Sequence, residues 1–327
     1  METIKWGIIG AGDVCEKKSG PAFYKIEHSS LVAVMRRNEA LAKDFALRHG
    51  VPRYYTDADL LINDPEVNAI YVATPPSTHK EYTVRALEAG KPVYVEKPMA
   101  MNYGECMEML MASERTGQKL FVAYYRRALP YFRKVKELLD SRLIGTILSV
   151  EIHYTRPPQL TDLIPEQHTW RIKKAIAGDG YFYDLAPHTL DILDFLLGEI
   201  SEARGITQNL GGLYEAADTI SATLQFRSGA VGTGLWSFVT SPASTEDSIR
   251  ITGAHGEISF NTFAFQPIRL AIGESVQTFE TAQPEHIQQP LIQSIVDELR
   301  GVGRCPSTAL SAARTSKVID GIIYVFP

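Results

Sequence analysis

Short apolar runs alternate with helical stretches through the first third of the chain. The runs are rich in isoleucine, valine and alanine, as buried strands are, and cover residues 4–10, 31–35, 69–73, 93–95 and 120–123. Between them, Asn38 and Gly50 bound one helix. Asn102 and Glu105, at the capping-box spacing, start another that ends at Gly117. This alternation predicts a doubly wound parallel sheet with right-handed crossovers.

After about residue 200 the period of the pattern changes to two. Residues 219–226 are apolar at every second position, which predicts a strand with one buried face. A turn at 227–229 leads into a partner strand at 230–239. Further strands are predicted at 248–252, 257–260, 268–272 and 276–279, and closing helices at 290–300 and 308–324. We therefore expect residues 1–124 to form the parallel-sheet domain. Residues 125–327 are expected to form an α/β domain with a large, mostly antiparallel open sheet built from sequential hairpins.

The composition of the chain excludes several classes of protein. Of the 327 residues, 45% are hydrophobic and 22% charged, which excludes a disordered chain. The formal charge of −5, without a long basic run, argues against general nucleic-acid binding. No apolar run approaches the roughly 20 residues of a membrane span, and the short apolar start at 6–12 does not resemble a targeting signal. The scattered cysteines, Cys15, Cys106 and Cys305, indicate a reducing compartment, so we expect a cytoplasmic protein.

A glycine pair stands at the first junction between strand and helix. Gly10 allows the tight turn, and Gly12 lets the backbone approach a pyrophosphate that the helix N-terminus, with Asp13 and Val14, would bind. This position in a strand–helix unit predicts a Rossmann dinucleotide site, with an ordinary glycine turn as the alternative. The third position of the fingerprint is Cys15 instead of glycine or alanine, which is compatible with a slightly displaced helix.

The end of the second strand carries two arginines. An NAD site commonly has a carboxylate here to bind the ribose 2′-hydroxyl, whereas this chain has Arg36 and Arg37. Two guanidinium groups can bind a 2′-phosphate, so we expect NADP(H) as cofactor, with NAD as a possibility. The alternative is that both arginines are solvated surface charges.

Two further groups of residues carry candidate chemistry. Lys97 follows a parallel strand and therefore lies at the same sheet edge as the glycine loop. Asp184, His188 and Asp191 fall on one helix face. Lys97 could instead be a surface lysine, and His188 a structural histidine satisfied by Asp184. The helix face could also ligate a metal, but no further His or Cys accompanies it, and we expect none. Residues 157–168 could form a substrate-facing loop or an ordinary surface loop.

Taken together, these residues resemble the glucose–fructose oxidoreductase/inositol dehydrogenase family, Gfo/Idh/MocA. The resemblance covers nearly the whole chain and implies a Rossmann domain followed by an α/β domain with a large antiparallel sheet. The implied catalytic residues are Lys97, Asp184 and His188. The implied cofactor-binding residues are Gly10, Gly12, Asp13, Val14, Arg36, Arg37, Thr74, Pro75, His79, Glu96, Lys97, Tyr125, Arg126, Trp170 and Arg171. In such proteins the Lys97–Pro98 bond is often cis.

Two positions depart from the family pattern. Family members commonly have an Asn-Arg pair after the sixth strand, where this chain has Tyr125-Arg126-Arg127, which alters one wall of the pocket. In the mammalian dihydrodiol dehydrogenases, the position that matches His188 resembles a tyrosine. His188 therefore favours the sugar and polyol dehydrogenases, although a dihydrodiol activity stays open.

These observations predict an NADP(H)-dependent oxidoreductase. It would transfer hydride between nicotinamide and a secondary alcohol or ketone of a sugar, polyol or dihydrodiol, with Lys97 and His188 as the acid–base pair. The alternative from another class is a non-catalytic regulator on the same fold that senses a sugar or the cofactor. We expect a carbohydrate-like substrate, no nucleic-acid or membrane partner, and a homodimer or homotetramer formed through the C-terminal sheet.

Overall fold

The change of pattern along the chain corresponds to two units in the computed structural model, which describes residues 2–324. One unit comprises the chain up to Leu129 together with residues 284–313, and the other comprises residues 130–283 and those from Arg314 onward. The predicted second domain, 125–327, differs from this division, because residues 284–313 return to the first unit.

The first unit is built on a six-stranded parallel sheet. Its strands are β1 (Ile4–Ile9), β2 (Ser29–Met35), β3 (Arg53–Tyr55), β4 (Ala69–Val72), β5 (Val93–Val95) and β6 (Leu120–Val122). Its helices before residue 129 are α1 (Gly20–Lys25), α2 (Glu39–Arg48), α3 (Ala58–Ile62), α4 (His79–Glu88) and α5 (Tyr103–Thr116). The strand order β3-β2-β1-β4-β5-β6 confirms the predicted doubly wound sheet.

The helix caps lie where the sequence predicts them. The Asn38 side chain accepts a hydrogen bond from the backbone N–H of Leu41 at 3.1 Å. The Asn102 side chain accepts one from the N–H of Glu105 at 2.9 Å. The Glu105 carboxylate accepts from the N–H of Met101, so the reciprocal bond is displaced by one residue from the usual capping box.

One face of the parallel sheet is lined by aromatic rings. Trp6, Tyr71 and Tyr94, on the adjacent strands β1, β4 and β5, are fully buried. Phe23 of α1 packs between the first two, with ring centroids 5.0 Å from Trp6 and 5.1 Å from Tyr71. The Tyr71 and Tyr94 rings stack at 4.9 Å. This layer covers the sheet immediately behind the strand ends that carry the candidate site.

The second unit contains an eight-stranded sheet. Its strands are β7 (Ile147–Thr155), β8 (Ile200–Gln208), β9 (Thr219–Phe226), β10 (Val231–Ser237), β11 (Glu246–Gly253), β12 (Gly256–Phe260), β13 (Ile268–Ile272) and β14 (Ser275–Phe279). The order is β14-β13-β12-β11-β7-β10-β9-β8, and most neighbours are antiparallel, as predicted. The expectation of sequential hairpins is wrong at the centre, where β7 separates β11 from β10 and pairs with β10 in parallel.

Helices cover one face of this sheet. They are α6 (Pro130–Asp140) and the long α8 (Gly180–Leu197). The short α7 (Lys174–Ala177) precedes α8, and the last helices of the chain are α9 (Gln289–Arg300) and α10 (Ala309–Ile323). The α8 helix packs on the sheet through Phe182, whose ring meets that of Trp236 edge-on at 5.2 Å. In β9 the apolar side chains are buried in strict alternation with exposed polar ones, which confirms the predicted one-sided strand. Between residues 2 and 324, no helix has the length and hydropathy of a membrane span.

Candidate active site

The glycine loop brings two predicted cofactor-binding residues together. Gly10 follows β1 with a φ of 88°, and a Cβ atom there would lie 2.7 Å from Cγ2 of Thr74 and 2.9 Å from its backbone nitrogen. Only glycine combines this backbone conformation with such a close approach. Gly12 is less confined, because a Cβ there would have only the Gly10 carbonyl as a neighbour, at 3.8 Å.

The helix that follows this loop begins irregularly. The first N–H groups of a helix have no partner within it, so those of Asp13 and Val14 are available to bind an anion. From Cys15 to Ser19 the chain forms a π-helical turn, in which the N–H of Gly20 reaches the Cys15 carbonyl. The unusual third fingerprint residue thus coincides with a widened turn. Cys15 is fully buried, and burial raises the pKa of its thiol to about 12, so the thiol stays protonated.

Arg36 and Arg37 extend from the end of β2 beside the glycine loop. The carbonyl of Met35, the residue before them, accepts hydrogen bonds from the N–H groups of Gly10 and Ala11 at 3.0 and 3.3 Å. Within the described part of the chain, neither guanidinium group has an ion pair or a hydrogen bond. Two unpaired cations at this position are compatible with a phosphate ligand.

His79 ties two loops of the sheet edge together. Its ring nitrogens lie 2.7 Å from the carbonyl oxygen of Thr74 and 2.9 Å from that of Pro98. The side chain is fully buried, so it supports the Thr74–Pro75 segment from behind. Burial lowers the pKa of His79 more than its two carbonyl partners raise it.

Lys97 stands on a buried hydrogen-bond network. Glu96 is 7% exposed, and its carboxylate accepts from the Tyr71 hydroxyl at 2.6 Å, the Gln288 amide at 2.7 Å and the backbone N–H of Lys97 at 3.1 Å. Gln288 in turn accepts from the Tyr94 hydroxyl at 2.7 Å. The Lys97–Pro98 peptide bond is cis, as the resemblance implies. The backbone of Lys97 is thus fixed by groups that are themselves buried and hydrogen-bonded.

The segment after β6 is a single 3₁₀ turn. Tyr125 and Arg126 are both buried, and the Arg126 guanidinium lies 5.0 Å from the centre of the Tyr125 ring. Arg127, the extra cation of this segment, donates to the Pro306 carbonyl at 3.3 Å. Arg127 therefore links this turn to the returning segment 284–313, which sequence analysis did not foresee.

In the second unit, three candidate residues meet around a short turn. Trp170 and Arg171 lie on a 3₁₀ turn, and the guanidinium of Arg171 covers the indole at 4.8 Å. The same guanidinium forms an ion pair with the Asp184 carboxylate at 3.5 Å. The structure therefore joins the predicted Trp170–Arg171 pair to the predicted catalytic helix.

His188 lies one helical turn after Asp184 on α8. It is 5% exposed, and its ring meets that of Phe263 edge-on, with 5.9 Å between the ring centres. Asp191, the third residue of the predicted helix face, is buried and accepts a hydrogen bond from the Thr315 hydroxyl at 3.4 Å. Across residues 2–324, no three His, Cys, Asp or Glu side chains are grouped as a metal site would require.

The sequence matches two family models that cover most of the chain. Residues 4–124 match the oxidoreductase family with an NAD-binding Rossmann fold, and residues 132–259 match the Gfo/Idh/MocA C-terminal domain. Oxidoreductase P35 of Formosa agariphila is 39% identical over 320 residues, which is 97% of this chain and 97% of that protein. This chain belongs to the Gfo/Idh/MocA family. The prediction of an NAD(P)-dependent oxidoreductase is thereby confirmed.

Two further relatives are less similar to this Gfo/Idh/MocA chain. The trans-1,2-dihydrobenzene-1,2-diol dehydrogenase of Sus scrofa is 26% identical, over 92% of this chain and 85% of that protein. Levoglucosan dehydrogenase, solved in complex with NADH and L-sorbose, has a TM-score of 0.87 at 22% identity, over 98% of this chain and 96% of that chain. The structural likeness confirms the predicted fold class.

Several residues of the candidate site were missed in the sequence. In the sequence, Tyr71 and Tyr94 are recognisable only as strand residues. Gln288 lies 192 positions after Glu96, directly before a helix. Phe263 lies in a loop between two strands and carries no motif. Gln288 stands directly before an apolar helix face, and a polar residue at that position indicates where a helix starts. It does not indicate which residue the Gln288 side chain will bind.

Proposed function

We propose that the protein is an NADP(H)-dependent oxidoreductase acting on CH–OH groups. It would transfer hydride between the nicotinamide and a secondary alcohol or ketone of a sugar, polyol or dihydrodiol. The observation that carries this proposal is Lys97, whose backbone is fixed by the buried Glu96 network at the same sheet edge as the Gly10 loop. A lysine whose backbone is fixed in this way suits a proton-transferring group, because positioning contributes much of the rate of such a step.

The residues present fit a dinucleotide. Gly10 with its positive φ, Gly12, and the helix start at Asp13 and Val14 would hold the pyrophosphate. The unpaired guanidinium groups of Arg36 and Arg37 would bind a 2′-phosphate, which supports NADP(H) over NAD. Thr74, Pro75, Glu96, Tyr125, Arg126, Trp170 and Arg171 complete the proposed cofactor set, with His79 supporting it from behind.

The proposed chemistry divides between the protein and the cofactor. When bound, the nicotinamide supplies or accepts the hydride. Lys97 and His188 form the proposed acid–base pair that moves the hydroxyl proton at the reacting carbon. Asp184 orients substrate hydroxyls, and its ion pair with Arg171 keeps the carboxylate in place. The substrate class is supported by the relatives that are named as dehydrogenases of levoglucosan and of a dihydrodiol.

The test begins with the cofactor. Purified, cofactor-stripped protein is titrated with NADPH and with NADH, with nicotinamide fluorescence as the readout. We expect NADPH to bind at least about tenfold more tightly, since a bidentate phosphate contact contributes on the order of 1.5–3 kcal/mol. Equal affinities would reduce Arg36 and Arg37 to surface charges, and binding of neither cofactor would contradict the proposed use of NADP(H).

The second arm measures turnover. D-glucose, levoglucosan, myo-inositol and trans-1,2-dihydrobenzene-1,2-diol are offered with each oxidised cofactor. Lys97→Met is expected to lower kcat by about 10²–10⁴ while NADPH binding stays largely intact, because general acid–base catalysis is of this size. Lys43→Met, which removes an exposed lysine of α2, is the matched control. Stoichiometric cofactor binding without turnover of any compound would favour a regulator.

The open face of the second sheet supports a proposal about assembly. Helices cover one face, whereas the other carries exposed side chains such as Thr223, Gln225 and Val231. We propose that this face pairs with a second copy of the chain to give a dimer or tetramer. A cytoplasmic location is part of the same proposal, since three buried thiols suit a reducing compartment.

A further inference from the structure

The loop between β12 and β13 is held by one carboxylate. Asp247 of β11 accepts hydrogen bonds from three successive backbone N–H groups, those of Thr262 at 2.9 Å, Phe263 at 2.7 Å and Ala264 at 2.9 Å. A carboxylate that accepts three N–H groups fixes the backbone of the loop more firmly than a turn of the same length would be fixed alone. We refer to residues 261–266 as the Asp247 loop.

Side chains at both ends of the loop add to this clamp. The Tyr131 hydroxyl accepts from the N–H of Asn261 at 3.0 Å and donates to the Gln266 carbonyl at 2.8 Å. The Asn261 side chain accepts from the N–H of Gln266 at 3.1 Å and donates to the Asp247 carbonyl. Phe265 adopts a left-handed φ of 50°, which a non-glycine residue keeps only where its surroundings enforce it.

The Asp247 loop rests on α8 at the candidate catalytic histidine. The hydroxyls of Thr262 and Thr189, both buried, share a hydrogen bond of 3.0 Å, and Thr189 directly follows His188. The next loop residue, Phe263, places its ring edge-on to that of His188, with 5.9 Å between ring centres. On another side, the Phe263 ring lies 4.9 Å from that of Tyr154. These hydrogen bonds therefore fix the position of Phe263, whose ring borders the His188 imidazole.

The ring of Phe263 remains partly accessible in the structure. Unlike Thr262 before it, the side chain is only partly buried, although it lies between two other rings. A partly accessible ring beside an acid–base group excludes water from that side and offers an apolar surface to a ligand. Carbohydrate sites combine such apolar surfaces with a few polar groups, so this ring can discriminate between ligand faces.

We propose that Phe263 is a specificity-determining residue and that Asp247 is the residue that positions it. The proposal rests on the function proposed above and adds a determinant of substrate specificity to it. The ring forms an apolar wall next to His188 that favours substrates presenting C–H or ether groups there. More heavily hydroxylated substrates lose hydrogen bonds against the same wall, because a ring cannot replace the water that their hydroxyls give up.

The test compares substrates of different hydroxyl content. For each variant, kcat and KM are measured for levoglucosan and D-glucose; in levoglucosan an ether bridge replaces two hydroxyls of D-glucose. Phe263→Asn is expected to shift the ratio of kcat/KM toward D-glucose by about tenfold, the size of a single apolar contact. Phe263→Leu, which keeps an apolar side chain, is expected to shift it by less than about threefold.

Asp247 is tested through its dependence on Phe263. Asp247→Asn keeps the shape of the side chain but turns one acceptor oxygen into a donor. We expect it to shift the ratio in the same direction as Phe263→Asn, and to have no further effect in the Phe263→Asn background. Amide hydrogen exchange of residues 262–264 should accelerate at least about tenfold in Asp247→Asn, without a comparable change elsewhere.

The matched control is Glu274→Gln, which neutralises an exposed acid in the turn after β13 and should leave the ratio and the exchange rates unchanged. An unchanged ratio in Phe263→Asn, or an equal effect of Asp247→Asn with and without Phe263, would overturn this inference while wild-type turnover stands. A wild-type protein that turns over no compound of the panel would end the proposed function instead, and the inference with it.

Discussion

Gly10 has the strictest steric requirement of the proposed cofactor-binding residues. We expect Gly10→Ala to lower the free energy of unfolding by about 2–4 kcal/mol, because the backbone strain adds to a clash with Thr74. Cofactor binding should be lost with it. Gly50→Ala is the control, since Gly50 has a φ of 64° and open space around it, and should cost only about 1 kcal/mol. Urea unfolding measures both, and equal losses would show that the contact with Thr74 is unimportant.

Gln288 is the residue through which the returning segment supports Lys97. Gln288→Leu removes a donor from the buried Glu96 carboxylate and an acceptor from Tyr94, and each unsatisfied group costs roughly 1–3 kcal/mol. We expect lower stability and a kcat reduced by at least about tenfold. Tyr94→Phe removes the Tyr94 hydroxyl but leaves the contacts of Glu96 intact, so its kcat should stay within about twofold. A similar kcat in the two variants would contradict this role for Gln288.

Sequence analysis found residues that belong to local motifs and missed those that act across long separations. Gly10 and Lys97 could be recognised because a strand end and its loop constrain a few adjacent positions. Gln288 could not, because its partner Glu96 lies 192 positions away and nothing in an amide side chain specifies which carboxylate it will bind. Phe263 was hidden for the same reason, since its neighbour His188 belongs to another element.

At the level of elements, the cap of α5 offers a quantitative test. Asn102→Ala removes the acceptor for the N–H of Glu105, and we expect a loss of about 0.5–2 kcal/mol in the free energy of unfolding. Asn102→Asp keeps an acceptor oxygen and should restore most of that loss. Thermal unfolding of the three proteins decides the point; an equal loss in both variants would show that the side-chain acceptor is not what Asn102 contributes.

Strands with one exposed face were predicted well, whereas the central strand was not. The alternation in β9 reports its buried face directly, so its bounds could be read from the sequence. Strand β7 pairs with β10 and β11, and neither partner follows it directly along the chain. The pattern of one strand contains no information about which distant strand it joins, and the hairpin rule therefore gave the wrong order.

The π-helical turn after the glycine loop was also unpredictable in detail. The sequence showed an unusual Cys15 but not its consequence. Glu16, within this turn, accepts two hydrogen bonds from Arg48 of α2, at 2.9 and 2.7 Å, and contacts His49. The Arg48 guanidinium lowers the pKa of Glu16 to about 2, so this contact is charged at neutral pH. These partners lie 32 and 33 positions after Glu16, so a local sequence pattern does not contain the contacts.

For the molecule as a whole, His79 makes stability depend on pH. Burial lowers its pKa in the folded state, so below pH 6.5 the unfolded chain binds more protons than the folded one. The free energy of unfolding should therefore fall as the pH drops from 7 to 5.5. His79→Asn lacks this titration, and we expect a smaller fall in urea unfolding at the two pH values. Equal falls in both proteins would exclude His79 as a source.

Assembly through the open sheet face is testable in solution. We expect light scattering at micromolar concentration to give a mass of at least twice the 36.3 kDa of one chain. Thr223→Lys and Val231→Asp place charges on the exposed face and should dissociate the assembly, because an unpaired charge in an interface is costly. Glu274→Gln again serves as the control. A wild-type mass of one chain would contradict the proposal.

The return of residues 284–313 to the first unit has a consequence for how the protein is made. As the chain leaves the ribosome, the parallel sheet is complete by Val122, yet Tyr94 obtains its partner only when Gln288 emerges. Phe121 pairs with Thr308 later still. The nascent sheet must therefore wait, with part of its buried polar network unsatisfied, while residues 130–283 of the second unit are synthesised. A fragment that ends at Leu129 contains all six strands of the sheet but lacks Gln288 and Thr308. The first unit therefore obtains these contacts only after Thr308 has been synthesised.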